Sequence, residues 1–290
     1  MTHPLVGTGV WSGVLRSADA GATAAAATEL ESLGYSAVWI PDVGGDVFGA
    51  VANLLAATST AIVATGILNL WMHAAEETAA QHAALTAAHG RRFLVGIGVS
   101  HAVLIDRTIE PGTYQKPLAQ ITAYLDALDA ADLPLAVEDR ALAALGPKML
   151  ALSAARTAGV HPSLVTPEHT RIAREAVGPD AMVATEQGVI LETDPARARS
   201  IARSNLTRYF TLPNYTNNWK RLGFTDEELA DGGSDRLIDA VVAWGDESAI
   251  AARVQAHRDA GASHVCIQVL TDSPATLPLE QWRALAPVLT

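Results

Sequence analysis

Asp42 follows the apolar run SAVWIP, Ser100 and His101 follow RFLVGIG, and Lys148 follows the Gly146-Pro147 turn. His161 and the trio Thr185, Glu186 and Gln187 fall within later apolar runs. These residue types limit the chemistry. Ser100 and His101 are chain neighbours, so they cannot face one another as nucleophile and base. Neither a G-x-S-x-G elbow nor an H-E-x-x-H zinc helix occurs. Cys266 is the single cysteine, which excludes an internal disulfide and any multi-thiolate metal centre and fits a reducing compartment. Carboxylates at the run ends are few, against paired-acid glycoside hydrolysis and against a magnesium cage. Glycines, a few hydrogen-bonding groups and aromatics suit a flat organic cofactor, which would itself carry redox chemistry.

A repeat of apolar run, turn and amphipathic helix must position these groups. Residues 5–10, 36–41, 61–68 and 92–98 read as strands, with helices over 22–33, 47–58 and 75–89 between and after them. Gly34 and Gly90 close two of those helices. Each unit has about the length of a βαβ crossover. Farther on, strands are expected at 133–137, 159–164, 181–191 and 264–270. Helices are expected at 116–131, 147–158, 166–177, 195–209, 248–261 and 279–289. Thr166 is the N-cap of its helix and Pro167 its first residue. Residues 211–234, rich in Asn, Gly and aromatics, read as an irregular insertion. Eight strands alternating with helices in one domain, 1–290, predict an α/β protein, a (β/α)8 TIM-like barrel. The rival, a doubly wound sheet, needs a glycine-rich phosphate loop after the first strand. Trp11-Ser12-Gly13 stands there instead. In a barrel, chemistry sits at the C-terminal strand ends, where the polar residues collect.

The chain has 290 residues, 49% of them hydrophobic, ample for a large core. Lys and Arg total 20 against 31 Asp and Glu, a net charge of −11, which makes a poor nucleic-acid binder. No apolar run reaches the ~18 residues of a membrane span, and no basic-then-apolar signal opens the chain. A soluble cytoplasmic protein acting on a small molecule, with no membrane and no metal, is expected.

Several segments resemble the bacterial-luciferase-like superfamily: Trp39, Pro41 and Asp42 at the second strand, ATGILN at 64–69, and RRFLVGIGVSH at 91–101. Four later segments resemble a narrower actinobacterial group of coenzyme F420-dependent oxidoreductases. They are LGPKML at 145–150, HPSLVTPEHT at 161–170, LPNYTNN at 212–218 and AGASHV at 260–265. The resemblance implies a barrel with a deazaflavin, or FMN in relatives, across its C-terminal mouth, and a homodimer. It implies a bulge in the third strand at Gly66 and Ile67, often with a cis peptide, under the ring; otherwise these form a glycine bulge in a buried strand. Asp42 would face the ring's polar side, or else is a turn residue after proline, and Asn69 would also help bind the cofactor, although Val43 stands where many relatives have histidine. Val99 and Ser100 would approach the ring or its ribityl chain. Gly146, Pro147 and Lys148 would take the phosphate, with His161 nearby. His101 stands where some relatives have a glutamate acid or base, and an imidazole titrating near neutrality could move a proton there; the alternative is a loop histidine. Trp11, Trp71, Tyr215 and Trp219 are candidate walls of the substrate pocket, or else core and interface aromatics.

Three functions follow. The first is hydride transfer between F420 and a small organic substrate. The second is an FMN-dependent monooxygenase, and the third a non-catalytic cofactor-binding protein. F420 carries a phosphate and an oligoglutamate tail, so an acidic chain needs a local positive site for it.

Overall fold

Strands buried on both faces carry continuous apolar runs, and the computed structural model, which describes residues 5–290, places such runs in a closed parallel barrel. The strands are β1 (Gly7–Trp11), β2 (Ala37–Ile40), β3 (Ile62–Thr65), β4 (Leu68–Asn69) and β5 (Phe93–Gly98). They continue with β6 (Arg140–Leu142), β7 (Gly159–Val160), β8 (Met182–Leu191), β9 (Val242–Gly245) and β10 (His264–Val269). Neighbours follow the order β10-β1-β2-β3-β5-β6-β7-β8, and β8 pairs with β10 to close the ring. β4 resumes β3 beyond Gly66 and Ile67 and pairs with β5, so the two form one interrupted stave of an eight-stave (β/α)8 barrel. β9 pairs with the C-terminal end of β8.

The barrel interior is built around Trp39, which is wholly buried. Alanines at 37, 64, 141 and 184 leave room for its indole. The His161 ring stacks on it at 4.2 Å, and its Nε1 donates to His264 Nε2 at 3.1 Å. A larger apolar layer joins the strands to the helices, with Val38, Val63, Phe93 and Val95 facing Leu54, Leu85, Ile121 and Leu125.

Two sequence expectations need correction. Residues 133–137 form no strand: Leu133 and Val137 are exposed, and the stave is β6. Its first residue, Arg140, is wholly buried and donates to the Arg156 carbonyl and Asp129. A charged residue in that place hides the strand from an apolar pattern. Residues 211–234 are mostly helical, with helices Pro213–Arg221 and Asp226–Leu229, the second opened by a Thr225–Glu228 capping box. Leu212, Tyr215, Trp219 and Leu222 recur at helical spacing on its packed side, which overrides the loop propensity of the asparagines. Helices Ala102–Thr108 and Asp235–Val241, and strand β9, add to the elements expected from the sequence. Among the described residues, no helix is long and apolar enough to cross a membrane.

Candidate active site

A cavity of about 510 Å³ opens at the C-terminal ends of the β3–β4, β5, β6 and β7 staves. It is lined by Ile67, by residues 98–101, by residues 143–149, and by His161 and Ser163. Tyr114, Pro213, Tyr215 and Arg221 also line it. Its floor is made by the stave interruption. Ala64 points into the barrel, yet Leu68 lies in the outer layer and Ile67 reaches the cavity. The two residues between β3 and β4 therefore shift the inward phase by one. The Gly66–Ile67 peptide bond is cis, as the family resemblance implies. Trp11 Nε1 donates to the Gly66 carbonyl at 2.7 Å. A Cβ at Gly66 would meet Trp11 Nε1 at 2.7 Å and His161 Nε2 at 2.9 Å, so only glycine fits. Gly98 serves the same end, since a Cβ there would lie 2.7 Å from Ile67 Cγ1.

His161 Nδ1 donates to the Ala184 carbonyl at 2.8 Å. Its Nε2 is therefore a bare acceptor toward Gly66 and the cavity floor. Burial holds this imidazole down to about 4, so it is neutral at physiological pH. His101 packs beside Tyr215, their ring centroids 5.6 Å apart. Burial and the nearby Arg208 guanidinium hold it down to about 4, and its buried Nδ1 has no protein partner. The expectation of an imidazole titrating near neutrality is thus corrected. His101 offers the cavity a neutral donor–acceptor with one unused nitrogen.

Asp42 does not line the cavity. Its Oδ2 accepts from the Asn69 amide and from His73 Nε2, both at 3.1 Å, and its Oδ1 from the Gly44 amide at 3.3 Å. Burial raises this carboxyl, but the bonds from His73 and Asn69 outweigh it and leave it below the usual carboxylate range. The imidazole lacking at Val43 thus reaches Asp42 from the loop after β4. Asn69 shapes that loop, its side chain accepting from the Trp71 amide at 3.2 Å. Trp71 Nε1 donates to the Val99 carbonyl at 2.8 Å, and the indole packs behind Tyr114, which is the residue that lines the cavity. Trp11 likewise supports the floor from outside the lining. Trp219 is wholly buried and donates to the Leu164 carbonyl at 3.0 Å, so it is core and not a pocket wall. Of the four candidate wall aromatics, Tyr215 alone lines the cavity.

One edge of the cavity is cationic. Gly146 begins helix Pro147–Arg156, and no side chain caps it. Lys148 lies in its first turn, and Arg221, from helix Pro213–Arg221, brings a guanidinium nitrogen to 3.7 Å from where a Gly146 Cβ would stand. Two cations beside an open helix start give this edge the positive potential that an anion would need. Sequence reasoning finds Lys148 and misses Arg221, which is distant in the chain. It also passes over Ser163, whose Oγ makes a short hydrogen bond to Glu186 Oε2 beneath the cavity. Burial pushes Glu186 up to about 7, partly offset by that bond.

Fold and site together define a (β/α)8 barrel with an apolar, cation-edged cavity at its C-terminal mouth. Residues 3–131 match the family model described as luciferase-like monooxygenase. Among solved structures, an F420-dependent secondary alcohol dehydrogenase, solved with an F420-acetone adduct, is 12% identical with a TM-score of 0.76. That match covers 99% of this chain and 98% of the other. The F420-dependent tetrahydromethanopterin reductase of Methanopyrus kandleri is 16% identical, TM-score 0.70, over 99% and 100% of the two chains. The oxygenating constituent of 3,6-diketocamphane monooxygenase from Pseudomonas putida, solved with FMN, is 13% identical, TM-score 0.68, over 99% and 97%. At these identities the likeness is one of fold. No curated protein matches the chain in sequence.

Proposed function

We propose that this protein is a coenzyme F420-dependent oxidoreductase that moves a hydride between the deazaflavin and a small organic substrate. The observation that carries this reading is the join of an apolar floor at Ile67 to an edge bearing Lys148, Arg221 and an uncapped helix start. A chain of net charge −11 gathers two cations there, where a flat, apolar-faced ligand with an acidic tail would need them. When bound, F420 would supply the hydride. The residues present fit such a group. Gly66 and Gly98 leave Ile67 free to press on a ring face, and the bare Nε2 of His161 accepts from a ring N–H or a ribityl hydroxyl. Val99 and Ser100 bring backbone to the same wall. His101, neutral and with Nδ1 free, holds a polar group of the substrate beside Tyr215. Closing an apolar cavity over the reacting atoms excludes water.

A second reading, an FMN-dependent monooxygenase, is favoured by the description of the matching family. Titration of the purified protein with F420 and with FMN, followed by absorbance and fluorescence, separates the two. The expected result is saturable binding of F420 and substrate turnover without oxygen. Tight FMN binding with no response to F420, or turnover that requires oxygen and a flavin reductase, would overturn the assignment.

A further inference from the structure

We propose that Ser163 passes a proton between the cavity and the buried carboxyl group of Glu186, and that the substrate presents a carbonyl or hydroxyl oxygen to Ser163. The inference rests on the oxidoreductase reading, because hydride transfer to a carbonyl carbon needs a proton on its oxygen.

Ser163 lines the cavity, and Glu186 lies directly behind it. The backbone fixes the pair: Ser163 forms a parallel bridge with Glu186 of β8, which places the two side chains together. Oγ is hydrogen-bonded to Oε2, while Oε1 is buried with no protein partner and the residue is 3% exposed. A fixed negative charge with one oxygen unsatisfied is costly in such a place. The groups that face it are Tyr209 and Tyr215, both within residues 207–221, and Cys266, its register partner on β10. Arg208 donates to the Tyr209 hydroxyl at 2.7 Å, and no salt bridge reaches Glu186 among the described residues. Burial pushes both phenols and the thiol upward, so they stay neutral. Glu186 is the member of the cluster that changes charge near neutrality, being pushed up to about 7. His101, held down to about 4, is a weaker candidate for holding a spare proton at that pH.

The Ser163 Oγ–H bond breaks as its proton goes to the substrate oxygen, while hydride adds to the substrate carbon. The Glu186 Oε2–H bond breaks in turn, restoring the Ser163 hydroxyl and leaving a carboxylate that solvent reprotonates. In the reverse direction an alcohol proton follows the same path to Glu186.

Infrared difference spectroscopy of the apo-protein across pH 5–9 reads the carboxyl directly. The expected result is a protonated-carboxyl band that titrates near 7, is absent in Glu186→Gln, and titrates higher in Ser163→Ala. With reduced F420 and a small ketone under anaerobic conditions, wild-type hydride transfer should slow above pH 7. Glu186→Gln should be about 100-fold slower and lose that dependence. A carboxyl titrating near 4, or coincident pH profiles for wild type and Glu186→Gln, would overturn the relay. Failure of F420 to bind would instead overturn the function reading and the substrate class, whereas the apo-protein titration decides Glu186 by itself.

Discussion

Exchanging both Lys148 and Arg221 for alanine is expected to weaken F420 binding by about 100-fold, and Lys148→Ala alone by about 10-fold. A hydrogen bond to a charged group contributes about 1.5–3 kcal/mol, and about 1.4 kcal/mol is a factor of ten. Lys148 is exposed, so its contribution belongs at the lower end. Arg221 is also exposed, but it is tethered to the Asn218 side chain at 3.1 Å, so its guanidinium is already ordered. Fluorescence titration at two salt concentrations checks both points. Wild-type affinity should fall with added salt, and the double variant should have lost most of that sensitivity. Unchanged affinity in the double variant would place the acidic part of the ligand elsewhere.

Acid is expected to destabilise the protein well above the pH at which carboxylates titrate. His101 and His161 are held down to about 4, and His257 and His264 to about 3, in each case chiefly by burial. Neutral tautomers are fixed by partners. His257 lies 2.8 Å from both Thr170 Oγ1 and Gln187 Oε1, and His264 accepts from Trp39. In the unfolded chain these groups titrate near ~6.5. Below that pH the unfolded state binds protons that the folded state refuses, so stability falls as pH drops toward 4. Each buried histidine contributes up to about 1.4 kcal/mol per pH unit in that window. Two groups act in the opposite sense. Glu186, raised to about 7, keeps its proton when folded, so its ionisation costs stability as pH rises from the usual carboxylate range through 7. His73, raised by Asp42, contributes stability that is lost as pH rises through its folded value. Stability should therefore peak near neutrality and drop by several kcal/mol between about pH 6 and 4. Urea-unfolding midpoints at pH 7, 6, 5 and 4.5 measure this. A flat midpoint down to pH 4.5 would contradict it.

The staves β2, β3 and β5 are legible in the sequence because helices cover one face and the packed interior the other, leaving nearly every position apolar and all of them buried. The same logic conceals β6, where a buried arginine replaces an apolar side chain. Asparagine and glycine between 211 and 234 point by propensity to a loop, yet the spacing of Leu212, Tyr215, Trp219 and Leu222 already carries the helix. That spacing also marks Trp219 as core. Residues following strand ends, such as Ser100, His101 and Lys148, are found by topology alone, because the barrel puts all those ends on one rim. Gly66 and Ile67 are assigned through family resemblance, since spacing by itself gives only a glycine bulge. The groups that pattern reading misses meet across the fold. Arg221 reaches Gly146, His73 reaches Asp42, and Ser163 meets Glu186 through pairing of β8 with the segment after β7.

The central claim is that the cavity above Ile67 holds a deazaflavin by its ring face and its phosphate. A crystal structure of the protein with F420 bound tests it most directly. The ring is predicted to lie against Ile67, near His161 Nε2, with the phosphate at the start of helix Pro147–Arg156 between Lys148 and Arg221. A ring seated away from Ile67, or a phosphate that touches neither Lys148 nor Arg221, would contradict the account.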